Sequence, residues 1–364
     1  MNRRTFLTNA SRSAMATGVG LLGAPAVHAT TRYAWTMVTA WPKDFPGVGT
    51  GANNLAQHIA RMSDQRLTIT VYGAGELVPA FDIFDAVAAG KAEMGHASAL
   101  YWKAKHPAMP FFATVPFGLT AQEMEAWLRY GGGQALWDAL YTGFNLKPFA
   151  AGNTGVQMGG WFNKVINTVE DFKGLKMRFP GLGGDVLARL GAQIVDLPGS
   201  DILPALQSGA IEAAEWIGPY NDLAFGLHTA AHYYYWPGWH EPGAVLECMI
   251  HKPVYEALPA DLQAIITQAM QAAYSDMLAE YTAGNNTALV TLVQTHKVQL
   301  RRFPNAVLGR LGKISQEVVA ALAATDPMAQ KVYQSFHAFR KHAIEWGQIG
   351  EEAYSLARSL TSTF

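Results

Sequence analysis

The spacing of apolar residues changes period several times along the chain, and each change marks a predicted element. Arg32 to Thr39 reads as a strand, and Leu55, Ile59 and Met62 then fall at helical spacing over residues 54–62. Leu67, Ile69 and Val71 alternate with Arg66, Thr68 and Thr70, which predicts a half-buried strand bounded by Gly73 and Gly75. Residues 79–89 follow as a helix closed by Gly90, and residues 94–99 as a short strand. Such βαβα alternation predicts a parallel or mixed sheet with helices on both faces. The run Ala86 to Glu93 is echoed by Ala205 to Glu212: an apolar helix, a closing glycine, then entry into a strand through a glutamate. The echo predicts two α/β lobes of similar build, although a helix–Gly–strand join is also ordinary αβ-loop chemistry.

The last third of the chain is richer in helix. Pro259 stands at a helix start, and Leu262, Ile266, Met270, Ala273, Met277 and Tyr281 keep one face apolar, with Gly284-Asn285-Asn286 placed to kink or break the helix. From Pro327 a second long pattern runs through Val332, Phe336, Phe339, Ile344, Ile349 and Tyr354 to near Leu360. Two compact lobes do not need this much helix, so the tail is expected to brace both lobes or to bind a second subunit.

The N-terminus reads as an address. Arg3-Arg4 leads into Thr5-Phe6-Leu7, residues 13–26 are uncharged and largely apolar, and Val27-His28-Ala29 offers small residues at a signal-peptidase site. Residues 1–29 are therefore expected to be a twin-arginine export signal, the alternative being an amphipathic first helix. The apolar part is too short to span a bilayer.

Composition narrows the chemistry. With 27 Lys+Arg against 28 Asp+Glu, the chain lacks the basic footprint of a nucleic-acid binder. A single cysteine excludes a disulfide framework, a four-thiolate iron–sulfur cluster and a CxxC zinc site; Cys248, in the apolar run 245–250, reads as a buried thiol. No HExxH, GxSxG or phosphate-binding loop is present, and Arg178 to Asp185 fails the glycine spacing of a dinucleotide fingerprint. His232, His240 and His251 are scattered, and each reads as a surface or core histidine rather than a ligand.

Four stretches instead concentrate polar and aromatic residues: NTGVQMGGWF (153–162), INTVEDFKGLKMR (166–178), EWIGPY (215–220) and YYYWPGW (233–239). Taken in this order, and with GELVPAFDIFDAV (75–87) and VPFGL (115–119), they resemble the solute-binding subunits of tripartite ATP-independent periplasmic (TRAP) transporters. The resemblance is to the branch that takes 2-oxo and 2-hydroxy acids, and it covers the chain from about residue 30 onward. It implies an α/β, two-lobed flytrap with hinge-crossing segments and long C-terminal helices. Lobe 1 would hold residues 30–152 and about 240–285, lobe 2 residues 153–239 and about 286–325, and residues 326–364 a C-terminal helix able to dimerise.

Residue by residue, the resemblance implies that Arg178 clamps the ligand carboxylate, a task for which a planar guanidinium offers two parallel hydrogen bonds. It implies that Asn153 orients the same ligand, and that Gln157, Glu215 and the backbone carbonyl of Trp216 hold a hard cation, sodium or calcium. Such a cation would relieve the repulsion between Glu215 and a bound carboxylate. Tyr101, Trp102, Tyr220 and Glu241 would form the pocket wall. Residues 101–103 and 239–242 depart from the pattern of that branch, which leaves the length of the acid open. The implied protein is periplasmic, meets TRAP membrane subunits, forms a homodimer, needs no nucleic acid and is not an enzyme. The alternatives are a subunit for a larger carboxylate or sugar acid, and a twin-arginine-exported periplasmic enzyme.

Overall fold

A computed structural model describes residues 31–361; the expected export signal lies outside them. Eleven strands run in chain order as β1 (Tyr33–Thr39), β2 (Leu67–Tyr72), β3 (Met94–Ala97), β4 (Leu146–Asn153), β5 (Gly160–Phe162), β6 (Lys176–Arg178), β7 (Gln193–Val195), β8 (Ala213–Ala214), β9 (Tyr233–Trp236), β10 (Val245–His251) and β11 (Gln299–Arg302). They form two sheets. The first has the order β2-β1-β3-β10-β4 and the second β11-β9-β5-β8-β6-β7. In the first, β1 is parallel to β2 and β3, while β10 is antiparallel to β3 and β4. In the second, β6 is parallel to β7 and β8, and β5 is antiparallel to β8 and β9. Both sheets are therefore mixed.

The internal echo is structural. Gly90 (φ +68°) and Gly209 (φ +72°) each follow a helix, Ile83–Ala88 and Gly199–Gln207, and lead into β3 and β8. A side chain at either glycine would be strained by the left-handed backbone.

The chain passes between the sheets three times, and two of these crossings, from β4 to β5 and from β9 to β10, run along neighbouring paths. The two crossings are laced together: Thr154 N donates to the Ala244 carbonyl (3.1 Å) and Gln157 N to the Glu241 carbonyl (3.1 Å). Asn153 adds to the lacing, its Nδ2 donating to Gly243 O (3.3 Å) and to the Tyr274 hydroxyl (2.8 Å) and its Oδ1 accepting from Gly155 N (2.7 Å).

Several helix boundaries differ from the sequence reading. The first helix begins earlier, as Val48–Met62, because Val48, Gly49, Gly51 and Ala52 are buried along with Leu55 and Ile59. Residues 79–82 form a turn, leaving Ile83–Ala88 as the helix. Gly284-Asn285-Asn286 does not break the long helix, which is continuous as Ala260–Val290. Gly284 instead makes room for the Tyr220 ring, which a Cβ would meet at 2.7 Å, and Asn285 Oδ1 accepts from Tyr220 N (2.9 Å). The pattern from Pro327 is interrupted near Gly350, giving Pro327–Gly347 and Glu351–Ser359. Asp326 caps the first of these by accepting from Met328 N and Ala329 N.

The tail is anchored through an aromatic stack. Phe112 lies between Trp137 (centroids 5.1 Å, planes 3° apart) and Trp127 (5.6 Å, 15°), and Phe336 of the tail helix meets Trp127 edge-on at 5.2 Å. These rings are buried, so truncating the central one would open a cavity among them. Phe112→Ala should lower unfolding stability by about 3–5 kcal/mol; urea unfolding followed by tryptophan fluorescence measures it, and a loss under 1 kcal/mol would contradict this account of the anchor.

Candidate functional site

Polar residues converge where strand ends of the two sheets face each other. Trp41 follows β1, Ser98 follows β3, Arg178 ends β6 and Glu215 follows β8, so the carboxyl ends of four strands point into one crevice. That is where open α/β sheets hold their ligands. The crevice is narrow, a cavity of about 20 Å³, and is also lined by Leu100, Tyr101, Gln157, Trp216 and Glu241. Wider grooves exist on the surface, but a solute site is better marked by convergent buried charge than by size.

Register explains the central pair. Arg178 lies opposite Ala214 across the parallel β6–β8 pairing, so Glu215 emerges beside it, with Glu215 N donating to Arg178 O (3.1 Å). The Arg178 guanidinium is 1% exposed. Its Nη1 donates to Glu215 Oε2 (2.8 Å) and to the Glu215 carbonyl (2.7 Å), and its Nε to the Leu197 carbonyl (3.2 Å). The Trp216 ring lies 5.1 Å from the guanidinium carbon, a cation–π contact. Trp216 is in turn set against Trp41 and Phe225, and Gly199 leaves it space. Tyr101 closes the first-sheet side, its hydroxyl within reach of Arg178.

Burial dominates the electrostatics. It pushes the Glu215 carboxyl up to about 8 even though Arg178 opposes the shift, and Glu241 also to about 8, with the neighbouring Glu215 charge adding to the rise. Burial lowers His240 to about 4 and raises Tyr101 to about 12. Two acids thus share a dry space with one guanidinium. Glu215 Oε1 and Gln157 Oε1 are buried with no hydrogen-bond partner, while Gln157 Nε2 donates to Thr154 Oγ1 (3.1 Å). Buried acceptors without donors are costly, and a hard cation among these oxygens would favour the ionised form of both acids and be ligated by them. Gln157 and Glu215 therefore fit the cation role that the resemblance assigns them.

Arg178, Gln157, Glu215, Trp216, Tyr101 and Glu241 meet in this crevice; three other expected residues do not. Trp102 turns away into the core, where its Nε1 donates to Glu247 Oε1 and the Tyr141 hydroxyl donates to Glu247 Oε2 (2.8 Å). Asn153 is committed to lacing the two crossings. Tyr220 packs on the long helix, its hydroxyl donating to Glu280 (3.0 Å). Conversely, His240 does not behave as a stray core histidine: it is buried beside the site, with Nε2 3.5 Å from Glu215 Oε1. The one sequence signal for it was its place next to Glu241, in a segment that departs from the family pattern. Trp41 and Ser98 carried no such signal, and Thr154 only its place within NTGVQMGGWF.

Comparison with known proteins gives the family. A family model described as bacterial extracellular solute-binding protein, family 7, matches residues 37–326, and the chain belongs to that family, the periplasmic solute-binding proteins of TRAP transporters. A monocarboxylate 2-oxoacid-binding periplasmic protein from Nostoc is 44% identical over 320 residues, 88% of this chain and 87% of that protein. A TRAP periplasmic solute-binding protein from Colwellia psychrerythraea, solved with calcium and pyruvate, is 41% identical, with TM-score 0.87 over 89% of this chain and 99% of that one. Another from Pseudoalteromonas atlantica, solved with sodium and pyruvate, is also 41% identical, with TM-score 0.87 over 92% of this chain and 100% of that one.

The buried acid under the crevice gives a test of the electrostatics. Burial raises Glu247 to about 7 against the hydrogen bonds from Trp102 and Tyr141, whereas an unfolded glutamate titrates near about 4.3. Between these values the folded state holds a proton that the unfolded state has lost. Stability therefore falls as pH rises through this window, by an amount on the order of 3 kcal/mol, and levels off above it. Glu247→Gln removes this titration. Urea midpoints at pH 5 and pH 8 should fall less in the variant than in the parent; equal falls would place the buried charge elsewhere.

Proposed function

We propose that this protein captures a small 2-oxo or 2-hydroxy monocarboxylate of the pyruvate or lactate kind, bridged to the protein by one cation, and delivers it to TRAP membrane subunits. The observation that carries the reading is the buried Arg178–Glu215 pair beside the unpartnered oxygens of Glu215 and Gln157. Arg178 offers a guanidinium already fixed by Glu215 and Leu197, so a carboxylate meets a donor that needs no reorganisation. A cation on Glu215, Gln157 and the Trp216 carbonyl offsets the negative charge and accepts the second oxygen of a 2-oxo or 2-hydroxy acid, which a plain fatty acid lacks. Sodium and calcium accompany pyruvate in the two relatives above. The narrow crevice and the Tyr101 and Trp41 rings favour a small acid over a sugar acid. The site is arranged for holding and release, and the reading is one of binding rather than catalysis.

Isothermal titration of metal-stripped protein with pyruvate and lactate, in sodium, in calcium and in neither, is the direct test. Binding should require a cation, and Arg178→Lys should weaken it roughly tenfold or more, because an ammonium cannot reproduce the fork geometry. Failure to bind any of these acids with either cation would discard the substrate class, and unchanged affinity in Arg178→Lys would discard the clamp.

The same reading includes export through the twin-arginine route, supported by Arg3-Arg4 and the apolar stretch behind them. No helix among the described residues is long and apolar enough to cross a membrane. It also includes a homodimer built on the tail. Val332 and Phe336 are buried, but further along Trp346, Ile349, Tyr354, Leu356 and Leu360 are 63–87% exposed, a large apolar face for a second copy to cover. Sedimentation should give a dimer for the chain and a monomer after truncation at residue 347; a monomeric parent at micromolar concentration would remove the dimer.

A further inference from the structure

The crevice holds a nitrogen ligand that the oxygen-only cation site does not use. Glu215, His240 and Glu241 each offer one ligand atom, and these atoms all lie within 4.8 Å of one another. All three residues are at most 5% exposed. Neither ring nitrogen of His240 has a hydrogen-bond partner, and Nε2 faces Glu215 Oε1, which is likewise without one, at 3.5 Å. The ring is held in that orientation by Phe179, 4.4 Å away centroid to centroid, and by Trp239 at 5.5 Å. Thr114 Oγ1 donates to the His240 carbonyl (3.4 Å), which fixes the backbone beneath it.

We propose that His240 Nε2 and the Glu215 and Glu241 carboxylates bind one first-row divalent ion of the zinc, cobalt or manganese class, and bind it more tightly than sodium or calcium. The inference rests on the reading of the crevice as a cation-assisted carboxylate site and names the ion this chain prefers. Two independent arguments support it. Imidazole nitrogen is a good ligand for first-row transition ions and a poor one for sodium or calcium, which take oxygen. Charge gives the second. As ligands the two carboxylates are ionised, so with Arg178 and a bound monocarboxylate the buried cluster carries a net charge of about −2, which a divalent ion cancels and sodium only halves; charge thus sets zinc and calcium alike above sodium, and the imidazole sets zinc above calcium.

The test uses the full chain after export, stripped of metal, carrying His228→Asn and His296→Asn. Those two rings lie with centroids 4.0 Å apart elsewhere on the surface, and replacing them removes a second pair of imidazoles from the titration. Calorimetric titration with zinc, calcium and sodium salts, without any acid, should give a zinc affinity at least roughly tenfold above that for calcium. Pulsed EPR of the manganese-loaded protein should show the hyperfine coupling of a directly bound imidazole nitrogen. Adding His240→Gln should abolish that coupling and reduce the zinc-to-calcium affinity ratio by roughly tenfold or more; His240→Phe is the second variant if the first does not fold. Zinc binding no tighter than calcium, no nitrogen coupling, or an affinity ratio unmoved by both variants would each overturn the proposal. Cation-dependent pyruvate binding is measured separately, so the broader reading of the crevice stands or falls on its own result.

Discussion

A guanidinium and a carboxylate, paired out of reach of water, set the conditions for everything around them. Taking both charges out of solvent is expensive, and their attraction offsets the cost only when geometry and further hydrogen bonds are good. The parallel register of β6 on β8 supplies that geometry, and the Leu197 and Glu215 carbonyls supply the further bonds. Trp216 completes the cage by stacking on the guanidinium. A second buried acid, Glu241, unbalances the pair, and on the proposed function this is what makes room for a cation and an anion together.

The surrounding fold can be read as support for that pair. Two mixed sheets face each other through strand ends, and two laced crossings bring Gln157 and Glu241 to the same point from opposite directions along the chain. The long helix Ala260–Val290 ties the sides together without a break, because the glycine and asparagines that predicted a kink are used to receive Tyr220. The aromatic stack around Phe112 fastens the tail at one end and leaves its far end uncovered.

Much of this was legible in the sequence, for a physical reason. Periodicity reports burial, so β1, β2 and the apolar face of the long helix were readable directly, and the echoed helix–Gly–strand unit foretold two similarly built halves. Helix starts were less legible because small residues such as Gly49, Gly51 and Ala52 carry no hydrophobic signal even when buried. The motifs led to Arg178, Gln157, Glu215 and Trp216 but could not tell which way a polar side chain turns. Trp102, Asn153 and Tyr220 are each engaged by a group 145, 121 or 60 residues away, namely Glu247, Tyr274 and Glu280. Such partners are invisible until the chain is folded. His240 was missed for the converse reason: a single histidine among aromatics looks like packing until Glu215 is seen opposite it.

The crevice is chemically lopsided. Its charges come from the second sheet and the crossings, whereas the first sheet contributes Trp41, Ser98, Leu100 and Tyr101, which bring rings, a hydroxyl and an aliphatic chain but no formal charge. On the proposed function, encounter and retention therefore fall to different faces. The charged face would catch the solute, and the aromatic face would set how long it stays by shutting water out. A lineage retuning this receptor for a new environment could therefore change residence time through Trp41 or Tyr101 while the capturing chemistry stays as it is.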